Sequence, residues 1–347
     1  MKIKFKSENI FNCCQELLEI DSPSGDTAEL SDFLESQLTA LGFRTGRTHK
    51  DVVYAEFQTE DRPIERIVTA HIDTLGAMVS EIMPNGRLRF VMIGGFAYNS
   101  LEGENVRIKT ADGRIYTGSV MPDKISIHIF DNYVSEFKRE YSTMSVRLDE
   151  LVETAEDTRS LGIEVGDFIA FEPRTEITAS AFIKSRFLDN KICAALMIEV
   201  MKELESRGEK PVRPTRFVFS NFEEVGHGVT AVPDSVKELI ALDIGTVGGE
   251  RNSRETAVTI VARDSRTPYP FPLRRRLQEI AIRDDIEYRI DTHIRYGSDG
   301  SIAATAGMNF NFSCFGPGVE ATHHYERTHE RAVLATAELL HGYLMTE

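Results

Sequence analysis

Residues 67–73 read Ile67-Val68-Thr69-Ala70-His71-Ile72-Asp73. A short apolar run rich in β-branched residues, with no Gly or Pro inside it, reads as a strand. It ends on an imidazole and a carboxylate two positions apart. While the chain stays extended, both side chains leave the same face, so one could bind a metal ion and the other orient it.

The pattern extends in both directions from this strand. Upstream, residues 52–57 form a second β-like run, and Asp26 with Glu29 makes a capping box ahead of Leu30, Phe33, Leu34, Leu38 and Leu41 at helical spacing, stopped by Gly42. Downstream come a helical run over 191–204, strands over 216–222 and 239–243, a helix over 273–283, a strand over 288–294 and a last helix over 330–344. Strands alternating with helices predict an α/β fold with a mainly parallel, helix-covered sheet. Between 82 and 178 the texture changes to short β runs, at 88–93, 106–110 and 168–171, punctuated by Asn85-Gly86, Asp112-Gly113 and Gly166-Asp167. The expected organisation is therefore a catalytic domain in two parts, 1–81 and 179–347, with an inserted β-rich domain over 82–178.

The 40 Lys and Arg against 55 Asp and Glu give a net charge of −15, which argues against nucleic acid as the main partner. Hydrophobic residues at 41% are enough to bury cores, and 347 residues suit about two domains at roughly 150 residues each. The N-terminal stretch lacks the apolar run of a secretory signal, and nothing approaches the roughly 20 apolar residues of a membrane span. Four cysteines, at 13, 14, 193 and 314, are too few for a disulfide scaffold and point to a soluble, reducing, cytoplasmic setting. Cys193 reads as a small core residue and Arg274-Arg275-Arg276 as a solvated helix face. No Gly-x-Ser-x-Gly elbow or Walker loop is present.

Other candidates for chemistry also fall at strand ends. Asp189 stands in Phe187-Leu188-Asp189-Asn190-Lys191, Glu223-Glu224 follows an apolar run, Asp243 closes another, and His323-His324 precedes Tyr325-Glu326. Singly, each has a plainer meaning: a hydrogen-bonded pair, a solvated loop, a turn cap, a surface imidazole. Together they fit the rule that in open α/β sheets the ligand crevice lies beyond the carboxyl ends of the strands. Carboxylates and imidazoles without Cys suit Zn, Co or Mn. Five ligands with one carboxylate shared would complete a two-metal site with ions about 3.5–4 Å apart. The second member of Glu223-Glu224 could bind metal while the first takes a proton from water, given a bend that Gly226 and Gly228 permit.

His71-Ile72-Asp73, Leu188-Asp189-Asn190, Glu223-Glu224-Val225-Gly226, Leu242-Asp243-Ile244-Gly245 and His323 with Glu326, in this order and with the β-rich insertion, resemble the tetrahedral-aminopeptidase family of di-metal peptidases. That family includes glutamyl and deblocking aminopeptidases and proteins once described as endoglucanases. The resemblance implies a zinc-peptidase type of catalytic domain with a small β-barrel-like dimerisation domain, assembled as a homo-oligomer, with a dodecamer suggested. It implies that His71 and Asp243 are terminal ligands of different ions, that Asp189 bridges both, and that Glu224 and His323 complete the site. Glu223 would be the general base and Asp73 would hold His71. Tyr296-Gly297-Ser298-Asp299-Gly300 resembles the family's substrate-facing loop, which would make Ser298 and Asp299 substrate-binding, although a helix cap at Ser298 is the commoner meaning.

Two departures stand out. His227-Gly228 follows Gly226 where relatives commonly carry Leu-Arg-Gly, and the shorter distance to Glu326 leaves His323 and His324 as competing ligands, with His323 favoured. The expected function is an aminopeptidase that removes N-terminal residues from short peptides with two divalent ions, Zn or Co. The stretch 322–329 also resembles a branch linked to biosynthesis of the osmoprotectant N-acetylglutaminylglutamine amide. An amidase acting on an N-acylated dipeptide is therefore one alternative, and a non-enzymatic self-assembling scaffold another.

Overall fold

The computed structural model describes residues 3–57, 62–229 and 232–347. It divides into two compact units, Met1–Thr74 with Arg174–Glu347, and Leu75–Pro173.

The first unit is built on a mixed sheet whose centre is parallel. Arg66–His71 lies between Thr215–Ser220 and Glu238–Leu242, parallel to both, and Glu238–Leu242 in turn runs parallel to the first half of Asn311–Glu320. Arg66–His71 and Glu238–Leu242 are buried along their whole length, which is why they read as continuous apolar runs rather than alternating ones. Antiparallel strands flank this centre: Val53–Glu56 and Arg44–Arg47 on one side, Val258–Arg263, Glu326–His329 and Phe182–Ser185 on the other. Leu188–Ser206 covers the sheet, with Ser7–Leu18 and Glu330–Leu344 packed beside it. Cys193 is fully buried on the covering helix.

Three local expectations change. The helix Ala28–Ala40 is capped at Thr27, without a side-chain cap bond, so Asp26 and Glu29 form no capping box. On Phe271–Arg283, Arg275 faces solvent and pairs with Glu279, but Arg276 turns inward to Glu238, a carboxylate that the fully buried Arg66 also holds. The triple-Arg run is thus only partly a solvated face, because Glu238 enters the sheet just below it. Finally, residues 311–320 form a long strand that the sequence pattern did not announce.

The second unit is a closed six-stranded barrel in the order Gly76–Ile82, Leu88–Ile93, Met144–Leu148, Ile115–Pro122, Asn105–Lys109, Phe168–Phe171. Phe90, Val106, Ile108, Val120, Val146 and Ile169 fill its interior. Closure removes the sheet edges that would otherwise present unpaired backbone groups. Gly86 and Gly113 take positive φ at the two turns and their amides close them onto Met83 and Thr110. Among the described residues, no helix is long and apolar enough to cross a membrane.

Candidate active site

Strand register brings the candidates together. Ser220 lies beside His71, and Ala241 beside Thr69, so the segments that follow all three central strands emerge along one edge. His71 is buried there, with Nδ1 3.0 Å from the backbone carbonyl of Asp73 and Nε2 3.2 Å from Oδ1 of Asp189. A carbonyl only accepts, so Nδ1 carries the proton and Nε2 turns towards a carboxylate oxygen. Two lone pairs do not face each other at that distance without a cation, either a proton or a metal ion.

Asp189 opens the helix Leu188–Ser206 with non-helical backbone and a cis peptide bond to Asn190, whose side-chain amide donates to Leu242 O. The second Asp189 oxygen, Oδ2, is 3.5 Å from Nε2 of His323, which is itself 3.5 Å from Oε2 of Glu224. Two groups result, each with ligand atoms within 4.8 Å of one another: His71, Asp189 and Asp243, and Asp189, Glu224 and His323. His71 and Asp243 therefore share a group, whereas the resemblance implied separate ions for them, and the shared grouping follows from their neighbouring parallel strands. Glu223 is in neither group, with Oε2 3.8 Å from Nε2 of His71.

The supporting contacts differ from a simple His-Asp pair. Asp73, fully buried, is held to His71 through its backbone carbonyl, and its carboxylate accepts from the Ser24 hydroxyl and from the amides of Glu223 and Glu224 at 3.2 and 3.3 Å. It fixes the turn that carries both glutamates. Glu326 spans the other side, accepting from the amides of His323 and Asp189, both at 2.9 Å. Ser24 and Glu326 had no role assigned from sequence, and the one signal was that Glu326 stands three residues after His323. His324 is exposed, and its Nδ1 accepts from the Tyr325 amide. Ser298 caps the helix Asp299–Thr305, and its hydroxyl lies 2.8 Å from that of Tyr269. Asp299 accepts from Thr69 Oγ1, Ser220 Oγ and the Val229 amide. Both side chains are buried and engaged inside the protein.

Acidic groups outnumber imidazoles here, and burial makes that costly. Burial would push His71 down, but Asp189, Asp73 and Glu223 hold it well above its ordinary value. Burial opposes the charged form of Asp189 as well, yet His323 and His71 keep it well below the usual carboxylate range. Burial pushes Glu223 and Asp243 well up, Glu224 up to about 7 and Glu326 up to about 8, with Asp189 adding to the last two. Oε1 of Glu224 is buried without a hydrogen-bond partner. A surplus of buried acidic groups over imidazoles, an orphaned carboxylate oxygen, imidazole nitrogens facing carboxylate oxygens and an all-oxygen-and-nitrogen donor set fit divalent cations.

A mixed sheet whose parallel centre carries such a cluster at its carboxyl edge belongs with the α/β proteins that bind their ligands there. Residues 52–339 match the M42 glutamyl aminopeptidase family, and the chain belongs to that family. It is 40% identical over 333 residues, 96% of each chain, to YhfE of Bacillus subtilis (strain 168), which is named as a candidate aminopeptidase. It is also 27% identical to the glutamyl aminopeptidase of Lactococcus lactis subsp. cremoris (strain MG1363), over 62% of this chain and 60% of that one. The fold matches a TET aminopeptidase from the marine sediment archaeon Thaumarchaeota archaeon SCGC AB-539-E09, with a TM-score of 0.85 at 18% identity over 97% and 96% of the two chains. The Pyrococcus horikoshii TET1 peptidase, which can assemble into a tetrahedron or a large octahedral shell, matches with a TM-score of 0.82 at 18% identity over 97% and 100%.

Proposed function

We propose that the chain is a metal-dependent aminopeptidase that removes N-terminal residues from short peptides at a site for two divalent ions, Zn or Co. The observation that carries this reading is Asp189, whose two oxygens face the Nε2 atoms of His71 and His323 at 3.2 and 3.5 Å. In this reading His71, Asp189 and Asp243 hold one ion, and Asp189, Glu224 and His323 hold the other.

Bound divalent ions supply an acidified water and a polarised carbonyl. Glu223 accepts the proton of the attacking water and returns it to the leaving amine, a role suited to a carboxylate that burial has pushed upward. Asp73 keeps Glu223 and Glu224 aimed by anchoring their amides, and Glu326 does the same for Asp189 and His323. Ser298 and Asp299, expected to bind substrate, act on it only indirectly in this reading: Asp299 anchors Thr69, Ser220 and the Val229 amide, and Ser298 caps the helix that Asp299 opens. Family membership and the relatives' names favour peptide substrates, the shells into which the TET1 peptidase can assemble favour a homo-oligomer, and a similar structure described as a dodecamer, PhTET1-12s, favours that size. Four free, buried cysteines accord with a cytoplasmic setting.

Elemental analysis after loading with Zn or Co should find two ions per chain, and chelation should abolish peptide hydrolysis. Glu223→Gln should keep its metal and lose turnover by on the order of 10²–10⁴, whereas Glu224→Gln should lose an ion. Negligible metal after loading would sink the reading, and metal loss from Glu223→Gln alone would exchange the two roles.

A further inference from the structure

The turn bearing Glu223 and Glu224 leaves the carboxyl end of Thr215–Ser220. Asp73 holds its start. Its far end is held by a different element, one that contributes nothing to the two ligand groups. Arg44–Arg47 and Val53–Glu56 form a hairpin in which Val53 pairs with Phe219, so the hairpin tip at 48–52 overhangs the same edge of the sheet.

Lys50 stands on that tip. Its ammonium donates to the backbone carbonyl of His227, lies 3.0 Å from Nδ1 of the same residue, and lies 3.4 Å from the carbonyl of Gly228. An ammonium has three donors and no acceptor, so these three contacts use its capacity. It also sits 5.3 Å from the centroid of the Phe222 ring, which stacks on the His227 ring at 4.9 Å. The tip is fastened a second time, because the Asn221 side-chain amide donates to the carbonyls of Lys50 and Asp51 at 3.2 and 2.7 Å.

The bracket therefore closes on both sides of Glu223-Glu224, at 221–222 and at 227–228. Phe222 needs such support, since φ of +65° is a left-handed conformation that is strained for a non-glycine residue. The turn also packs closely at this end: a Cβ on Gly228 would stand 1.9 Å from Oδ1 of Asp299, the first residue of the helix Asp299–Thr305. His227, the departure from the Leu-Arg-Gly pattern, is what gives Lys50 a ring to hold.

We propose that Lys50 is a positioning residue for the Glu223 carboxylate. By tying the carbonyls of His227 and Gly228 and the His227 ring to the hairpin tip, it sets the turn in the geometry in which Glu223 meets the attacking water. This rests on the proposed function, specifically on Glu223 as the base. Lys50 touches neither ligand group.

The test is Lys50→Met, which keeps the length of the stem and removes the donors, together with Lys50→Arg and the double variant Lys50→Met/Glu223→Gln, all in the full chain loaded with Zn. Lys50→Met should lower kcat by roughly 10–100-fold, the scale of a small misplacement of a reacting group, with KM, metal content and melting temperature close to wild type. Lys50→Arg should recover most of the loss, since a guanidinium can reach the same carbonyls. In the Glu223→Gln background the Lys50 change should cost nothing further, because the group it positions is already disabled. Wild-type kcat in Lys50→Met would overturn the proposal, as would an equal slowing of Glu223→Gln or a loss of metal. Full turnover in Glu223→Gln alone would instead strike the base assignment and remove the role claimed for Lys50 along with it.

Discussion

Asp189 faces one imidazole with each oxygen, and the two imidazoles reach it from unlike backbones. His71 rides on a buried strand end, whereas His323 sits in a turn at φ +61°, its amide tied to Glu326. His324, the next residue, points elsewhere and is engaged by its own neighbour's amide. His323→Ala should therefore reduce metal affinity by more than the roughly 10–100-fold typical of an outer partner, while His324→Ala should leave it nearly unchanged. Isothermal titration of metal-free protein with Zn checks this, and the reverse order would reassign the ligand. Much of this site is legible residue by residue. The two-residue spacing of His71 and Asp73 on a strand, and acidic residues at successive strand ends, are local facts that the sequence carries openly. Which oxygen faces which ring is not local. The grouping of His71 with Asp243 depends on strand order, and the roles of Ser24 and Glu326 depend on contacts across 49 and 137 positions.

At the level of elements, the strand that escaped notice explains itself. Residues 316–318 are Gly-Pro-Gly, which reads as a turn, yet they lie inside Asn311–Glu320, buried from Phe312 to Val319. Each glycine is there for close approach. A Cβ on Gly316 would come 2.1 Å from the Asp243 carbonyl, and one on Gly318 would come 2.1 Å from that of Arg254. Pro317 is tolerated because it falls in the gap on one edge of the strand, between its parallel partners Glu238–Leu242, which end at Phe315, and Gly245–Val247, which begin at Gly318. The long apolar runs were legible because burial on both faces writes itself into composition, whereas a strand chosen for close packing looks like punctuation. Gly316→Ala should push Asn311–Glu320 away from Asp243, costing about 1–3 kcal/mol of stability, the usual scale of overpacking. A lowered urea midpoint together with weaker metal binding is the expected result. An unchanged midpoint would mean that the two strands yield more easily than backbone against backbone should.

For the whole molecule, the decisive quantity is apolar surface set against charge. The barrel unit Leu75–Pro173 leaves Ile115, Ile127, Ile129, Leu151 and Val165 exposed, Ile129 at 73% and Leu151 at 103%. Where such side chains adjoin one another they gain from being covered. The chain also carries a charge of −15, so two copies repel at long range and the repulsion weakens as salt shortens the Debye length to about 8 Å near physiological ionic strength. If a second copy covers the barrel's apolar residues, association should persist or strengthen as salt is raised, the opposite of an assembly held by surface ion pairs. Multi-angle light scattering at micromolar concentration, across a series of NaCl concentrations, should therefore give a mass well above the 39.0 kDa of one chain. Ile129→Lys with Leu151→Lys should lower that mass without unfolding the barrel, because both side chains already stand in water. It should also leave the metal content of each chain unchanged, since the ligand groups belong to the other unit. A monomer at every salt concentration would remove the oligomer from the proposed function and leave the chemistry at Asp189 untouched. A mass that falls as salt rises would place the association on charged groups rather than on these apolar ones.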